Sequence, residues 1–242
     1  MGMPITVEIV GAERAAKSIA AVFKYFRQVD ERFSPYKADS ELSKVNRDLL
    51  DESKWSAEMK EVMQLCAETK GISGGYFDIK RPDGKLDPSG LVKGWSIAKA
   101  TELLIAAGIK NFYIEAGGDI QTAGLNLEGE PWLIGIRNPK RPEQIVKRVR
   151  LSDAAIATSG LYIRGDHIYN PLDDYATPHD VASLSVIAPN IFEADRFATA
   201  AFAMGAAGIN FLANLPGGLF EAYQIDHNGI ATLTKGFIRY VA

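Results

Sequence analysis

The sequence has one cysteine and three histidines in 242 residues, and both shortages exclude kinds of site. A single cysteine, Cys66, cannot form an internal disulfide framework or a cysteine-based metal cluster. The three histidines, His167, His179 and His227, are not spaced like zinc ligands. A Walker A loop, a Gly-x-Gly-x-x-Gly fingerprint and a Gly-x-Ser-x-Gly elbow are also missing, so three common nucleotide and acyl-transfer sites have no support.

The chain also lacks the charge and the apolar runs typical of nucleic-acid-binding and membrane proteins. Its net charge of −3 and pI near 5.7 give no field that would attract nucleic acid or an anionic membrane. No apolar run is long enough to span a bilayer, and the first residues do not match a signal peptide. We expect no nucleic-acid partner, no membrane span and a cytoplasmic location, with a periplasmic or other extracytoplasmic location as the alternative if a signal segment was removed.

The hydrophobic content of 47% is that of an ordinary globular protein, and its pattern changes along the chain. Helical spacing predicts helices over 13–33, 56–70 and 93–107, and residues 72–92 read as a loop. The second half is richer in strands, with two helices up to Leu215 and a closing hairpin turned at Asn228-Gly229. The predicted strands are Asn111–Ala116, Trp132–Arg137, Ile145–Leu151, Ala154–Ala157 and Ser183–Ala188. We predict an α+β fold, a mixed α/β chain with a largely antiparallel sheet flanked by helices, in a single domain of residues 1–242.

The most informative local pattern is an aspartate and a threonine four residues apart in an alanine-rich helical stretch. Asp195 and Thr199 would project from one helix face. A carboxylate beside a hydroxyl offers two hard oxygen ligands of the kind that Mg²⁺ or Ca²⁺ prefers. The alternative is an exposed aspartate with a threonine bonded to its own helix.

Further segments hold glycine and polar residues that local structure does not demand. A junction contains Tyr36, a Gly-rich loop leads into the helix near Lys93, and two glycines precede Asp119. A Thr-Ser-Gly turn at 158–160 lies upstream of His167. Ordinary loops and turns are the alternative for each. Together the segments favour a phosphate-containing ligand held by one hard divalent cation, since free helix N-termini and metals bind phosphate.

Read in order, these segments resemble the FAD:protein FMN transferase family, also called ApbE-like flavin transferases. The resemblance covers nearly the whole chain. Its motifs are Met1-Gly2, Tyr36…Ser40-Glu41-Leu42…Asn46, Gly75-Tyr76-Phe77-Asp78, Asp87…Ser89…Lys93-Gly94, Gly117-Gly118-Asp119…Gly124, Pro131-Trp132…Ile134-Gly135-Ile136, Ala157-Thr158-Ser159-Gly160, His167-Ile168…Pro171 and Ala194-Asp195…Thr199-Ala200.

The resemblance implies an ApbE-like, T-fold-like architecture and an enzyme that cleaves FAD, releases AMP and attaches FMN to a threonine or serine of a target flavoprotein. It implies Mg²⁺ as cofactor, with Asp195, Thr199 and the backbone carbonyl of Val92 as ligands. His167 is a candidate general base or phosphate hydrogen-bond donor, and Asp195 is the second residue assigned to catalysis. The implied FAD contacts are Met1, Tyr36, Tyr76, Phe77, Asp78, Ser89, Trp95, Ile168 and Ala198.

The sequence departs from the family pattern at three places, one of which is a short linker between Phe77-Asp78 and Asp87. Ala98 stands where the family carries an aspartate, and Pro171 leads into residues 172–178 where the family has Thr-Gly. These changes leave the implied metal ligands intact but alter the acceptor side. Two alternatives therefore accompany the transferase: an FAD pyrophosphatase that forms FMN and AMP, and an FAD-binding protein without catalysis.

Overall fold

The computed structural model describes residues 2–11, 15–161 and 168–242. Met1 and His167, both predicted site residues, lie outside these ranges. The helices are Ala15–Phe33 (α1), Glu41–Val45 (α2), Ala57–Ile72 (α3), Ser89–Ala106 (α4), Ile191–Ala203 (α5) and Gly208–Ala213 (α6), with short 3₁₀ turns at Glu52–Lys54, Gly205–Ala207 and Phe237–Tyr240. None of these helices is both long enough and apolar enough to cross a membrane.

The strands form one large antiparallel sheet and one small ribbon. They are Ile5–Ile9 (β1), Phe112–Ala116 (β2), Asp119–Ala123 (β3), Trp132–Arg137 (β4), Ile145–Leu151 (β5), Ala155–Gly160 (β6), Val181–Ala188 (β7), Glu221–Asp226 (β8) and Ala231–Leu233 (β9). The seven-stranded sheet has the order β1-β2-β3-β6-β7-β8-β9, and β4 pairs with β5 alone. The predicted α+β class with a largely antiparallel sheet is confirmed.

Side-chain patterning explains how the layers assemble. In α1 the buried residues Val22, Phe26, Val29 and Phe33 recur at helical spacing, so one face of this long helix is covered. One face of the large sheet packs against α1, α4, α5 and α6, and its other face packs against the ribbon and the C-terminal turn. Strand β7 is buried throughout because both of its faces are covered.

Side-chain caps fix where several helices begin. The Ser40, Ser56 and Asn190 side chains each accept a hydrogen bond from the backbone N–H three residues later, at 3.0–3.1 Å. Such caps satisfy N–H groups that lack a partner inside the helix. The Asn190 cap sets the start of α5, the helix that carries Asp195.

Three expectations about local structure were wrong. The predicted Thr-Ser-Gly turn is the end of β6, because Ser159 and Gly160 pair with Leu184 and Ser183 of β7. The predicted loop ends earlier than expected, since α4 already begins at Ser89. The closing hairpin turns as predicted, but its second strand stops at Leu233.

Candidate functional site

Helices α4 and α5 approach closely at two glycines. A Cβ atom on Gly94 would lie 2.6 Å from Asp195 Cβ and 2.7 Å from the Ile191 carbonyl oxygen. A Cβ atom on Gly90 would lie 3.1 Å from Thr199 Cγ2. Two glycines four residues apart on α4 therefore face the Asp195 and Thr199 pair, four residues apart on α5. Larger side chains at these glycines would force the helices apart.

Asp195 is buried and paired. Its residue is 3% exposed, and its Oδ2 accepts a 2.7 Å hydrogen bond from the backbone N–H of Gly94. Its Oδ1 lies 3.3 Å from the Nζ of Lys93. The alternative of an exposed aspartate is thus wrong. Burying a carboxylate costs free energy, and the contacts with Gly94 and Lys93 offset part of that cost.

A second buried carboxylate completes a charged group around Lys93. Asp119, at the start of β3, is 1% exposed, and its Oδ2 lies 2.6 Å from Lys93 Nζ. Its Oδ1 accepts a 3.1 Å hydrogen bond from the backbone N–H of Thr158 on β6. Lys93 therefore lies between two carboxylates that come from different elements of the fold.

The surroundings of Asp195 raise the pKa of its carboxyl well above the ordinary value of 3.8. Burial is the largest cause, because it disfavours the charged form. Lys93 and the N–H of Gly94 oppose this shift, whereas Asp119 adds to it. Because the pKa stays raised in spite of Lys93, an additional cation close to Asp195 would stabilise the charged form of its carboxyl.

The hydroxyl of Thr199 does not bond to its own helix. Its Oγ1 donates a 3.3 Å hydrogen bond to the backbone carbonyl of Gly90, in the first turn of α4. Val92, whose carbonyl was predicted as a ligand, lies two residues further into α4. The carbonyl that the structure places beside Thr199 is that of Gly90. The reason is the antiparallel alignment of the two glycines with Asp195 and Thr199.

A cavity of about 400 Å³ opens beside Thr199. This volume lies within the usual range for sites that bind small molecules. Six of the predicted FAD contacts line it: Tyr36, Tyr76, Phe77, Asp78, Ser89 and Ile168. The lining also includes Ile79, Arg81, Pro82, Asp87, Gly90, Tyr169, Pro171, Thr199 and Ala203. The structure thus brings together motifs that lie far apart in the sequence.

Long-range hydrogen bonds hold the wall of this cavity in place. The Asn46 side chain accepts from the N–H of Leu86 at 2.8 Å and donates to the Leu86 carbonyl at 2.9 Å. Asp78 pairs with Lys70 at 2.6 Å. Tyr36, by contrast, is 95% exposed at the rim. The wall is therefore anchored, while one aromatic ring at the entrance remains uncovered.

Two predicted FAD contacts do not reach the cavity. Trp95 is buried, its Nε1 donates to Glu61 at 3.1 Å, and it lines a separate cavity together with Ala98. Ala198 is fully buried in the core between the sheet and the helices. Both residues lie on the site-bearing helices but on other faces. Sequence motifs show which helix carries a site, but the rotation of that helix about its own axis is set by packing.

Lys93 and Asp119 are functional candidates that appear in the sequence motifs without an assigned role, and Gly90 is a candidate that those motifs do not name. The available signal was the pair of small residues four apart on a helix, Gly90 and Gly94, matching the spacing of Asp195 and Thr199. Within residues 2–11, 15–161 and 168–242 there is no group of three or more His, Cys, Asp or Glu side chains arranged to hold a metal. A metal site here would instead combine a carboxylate with a hydroxyl and a carbonyl.

Comparison with known proteins agrees with this fold and shows the family of the chain. The model of the ApbE family matches residues 1–81 and 79–222. A Vibrio cholerae relative named FAD:protein FMN transferase is 33% identical over 143 residues, and a Haemophilus influenzae relative of the same name is 25% identical over 257 residues. The structure of the flavin transferase ApbE from Vibrio cholerae superposes with a TM-score of 0.84 at 23% identity, over 99% of this chain and 96% of that chain. The chain belongs to the ApbE family.

The matched lengths differ between the relatives. The Vibrio cholerae match spans 55% of this chain and 43% of that relative, and the Haemophilus influenzae match spans 80% and 73%. The chain therefore aligns with less than half the length of the first relative. The superposed structure, at 23% identity, shows a shared fold.

Proposed function

We propose that this chain is a Mg²⁺-dependent FAD:protein FMN transferase, acting through a single domain of residues 1–242. It would cleave FAD to AMP and attach FMN by a phosphoester to a threonine or serine of a target flavoprotein. The observation that carries the proposal is the position of Thr199. Thr199 lines the cavity together with six predicted FAD contacts, and it lies one helical turn after Asp195 on α5.

The donor atoms fit Mg²⁺. A carboxylate from Asp195, a hydroxyl from Thr199 and a backbone carbonyl from Gly90 are all hard oxygen ligands. We assign the carbonyl role to Gly90 in preference to Val92, because the Gly90 oxygen already lies 3.3 Å from Thr199 Oγ1. When bound, Mg²⁺ would neutralise pyrophosphate charge and stabilise the departing AMP.

The residues around the cavity supply binding and orientation. Tyr36 and Tyr76 offer aromatic surface for flavin or adenine rings, whereas Phe77 is buried in the cavity wall. Helix α4 begins at Ser89 in the cavity wall, so its N-terminal N–H groups favour a phosphate nearby. The reaction breaks the P–O bond to AMP and joins the FMN phosphorus to the acceptor oxygen, whose proton is released. His167 remains a candidate for receiving that proton.

The test uses FAD, Mg²⁺ and a flavoprotein subunit purified without covalent FMN. After incubation with this chain, intact-mass spectrometry should show the acceptor heavier by one FMN, and the mixture should contain an equal amount of AMP. A Thr→Val or Ser→Ala change at the acceptor position should remove the mass increase. If FAD binds but no acceptor gains FMN, the transferase proposal fails.

FAD hydrolysis is the second candidate. It is motivated by the segment after Pro171, which departs from the family pattern. Pro171 lines the cavity, and Leu172 beside it is 59% exposed. A tight turn follows, with Asn170 paired to Ala176 and positive φ angles at Asp174 and Tyr175. An acceptor side of altered shape would favour water as the attacking group. AMP release at the same rate with and without acceptor supports hydrolysis, whereas AMP formed only with acceptor contradicts it.

A further inference from the structure

Lys93 occupies the place where a cation would compensate Asp195. Its Nζ lies 3.3 Å from Asp195 Oδ1 and 2.6 Å from Asp119 Oδ2. The other oxygen of Asp195 already accepts from the Gly94 N–H. Both oxygens of Asp195 are therefore engaged by this chain. A divalent cation approaching Asp195 would meet the ammonium group at close range.

Two positive charges cannot share one buried carboxylate without a cost. At a separation of a few ångströms, unit charges of the same sign repel strongly where the surroundings screen weakly. The Lys93 side chain is 15% exposed, and those of Asp119 and Asp195 are 1% and 4% exposed. Screening by water is therefore small at this place. The ammonium must move away, or lose contact with Asp195, when a metal binds.

Asp119 provides the second position for the ammonium. It already makes the shorter of the two contacts with Lys93, and the backbone N–H of Thr158 fixes its other oxygen. Asp119 lies on β3, whereas the candidate metal donors lie on α4 and α5. Asp119 can therefore keep its contact with the lysine when Asp195 coordinates a metal.

We propose that Lys93 is an internal counter-ion that exchanges with the divalent cation, and that Asp119 is the positioning residue for this exchange. Without metal, Lys93 contacts both carboxylates and supplies the one positive charge between them. With metal, it is held by Asp119 alone, and Asp195 is released for coordination. This proposal rests on the proposed metal-dependent function and adds a mechanism that keeps the site intact between turnovers.

The exchange affects both the stability of the metal-free protein and its affinity for Mg²⁺. Removal of the lysine charge leaves two buried carboxylates without their cation, so the metal-free protein becomes less stable. The same removal eliminates the competitor, so Mg²⁺ should bind more tightly. Removal of the Asp119 charge has the opposite effect on Mg²⁺, because the ammonium then depends on Asp195.

The experiment compares Lys93→Met, Asp119→Asn and the control Lys99→Met by thermal denaturation over a series of Mg²⁺ concentrations, with and without FAD. Lys99 is the matched control because it lies on the same helix and pairs with Glu61 at 3.3 Å, away from Asp195. We expect Lys93→Met to melt lower without metal and to bind Mg²⁺ about tenfold more tightly. Asp119→Asn should bind Mg²⁺ about tenfold more weakly, and Lys99→Met should match the wild type.

A purely structural role predicts a different pattern. Lys93→Met would then lower the melting temperature equally at every Mg²⁺ concentration, and this result would overturn the exchange while leaving the proposed function standing. Wild-type protein that gains no stability from Mg²⁺, even with FAD bound, would overturn the exchange and the metal-dependent function together. If Lys93→Met fails to fold, Lys93→Gln provides the second variant. It removes the charge but keeps a side chain that can donate a hydrogen bond to Asp119, so it should bind Mg²⁺ more tightly than the wild type, and unchanged affinity would contradict the exchange.

Discussion

The backbone N–H of Gly94 donates a 2.7 Å hydrogen bond to Oδ2 of Asp195, joining residues 101 positions apart. This bond is possible because Gly94 has no Cβ and lets α5 approach the backbone of α4. One glycine thus both brings the helices together and orients the carboxylate. The arrangement of the candidate metal donors depends on that contact.

Gly94→Ala should therefore destabilise the protein and disturb the site. The added Cβ would lie 2.6 Å from Asp195 Cβ, so we expect a loss of about 1–3 kcal/mol in the free energy of unfolding. Chemical denaturation measures this loss. Gly71→Ala is the control, since no atom lies within 4 Å of its added Cβ, and it should leave stability unchanged or raised by about 0.5–1 kcal/mol. Equal effects of the two variants would contradict the close approach at Gly94.

The pH dependence of the metal-free protein follows from the raised pKa of Asp195. The folded protein holds the proton on this carboxyl to a higher pH than the unfolded chain, whose value is near 3.8. The contribution of Asp195 to stability is thus fully present below that pH and is lost as the pH rises through the raised pKa of the folded state. Melting curves without metal, compared between wild type and Asp195→Asn, measure it. The variant should lack this part of the decline, and parallel pH profiles would contradict the assignment.

Asn46 should matter for FAD binding although it does not line the cavity. Its side chain makes two hydrogen bonds to Leu86 and so fixes the wall that contains Asp87. Asn46→Ala should cost about 1–3 kcal/mol of stability and weaken FAD binding, measured by flavin fluorescence. Asn126→Ala removes an asparagine whose oxygen accepts two backbone hydrogen bonds in a turn away from the cavity. It should leave the FAD affinity unchanged, and equal loss in both variants would argue against a specific role for Asn46.

Cys66 should be chemically inert in the folded protein. It is 2% exposed, and burial raises the pKa of its thiol to about 12. Because the thiolate is the reactive form, a thiol-specific reagent at pH 8 should modify it only after unfolding. The reaction with and without denaturant measures this difference. Rapid modification of the native protein would contradict the burial of Cys66.

The sequence allowed the fold to be predicted well where periodicity is strong. The bounds of β4 and β5 agree with the prediction because alternating side chains and flanking turn residues mark both strands. Strand β3 was not predicted, since the two glycines before Asp119 read as a turn. Its five residues gain their order from pairing with β2 and β6. Pairing of this kind depends on distant partners and leaves little local signal.

The candidate site was predictable in its motifs and not in its geometry. The Asp195 and Thr199 spacing on one helix is local, so the sequence shows it directly. The contact of Lys93 with Asp119 joins a helix to a strand, and no local pattern reports it. The same holds for Trp95, which turns away from the cavity because aromatic packing with Phe33 fixes its face of α4. Rotation of helices and long-range charge pairing come from tertiary packing.

The most direct test of the central claim is AMP release from FAD by wild type and Asp195→Asn, with an acceptor flavoprotein present. The reaction is followed by chromatography with Mg²⁺ or with EDTA, and FAD binding is measured separately. We predict that the wild type releases AMP only with Mg²⁺, and that Asp195→Asn binds FAD but releases AMP about 100-fold more slowly. AMP release by Asp195→Asn at the wild-type rate, or by the wild type in EDTA, would contradict the account.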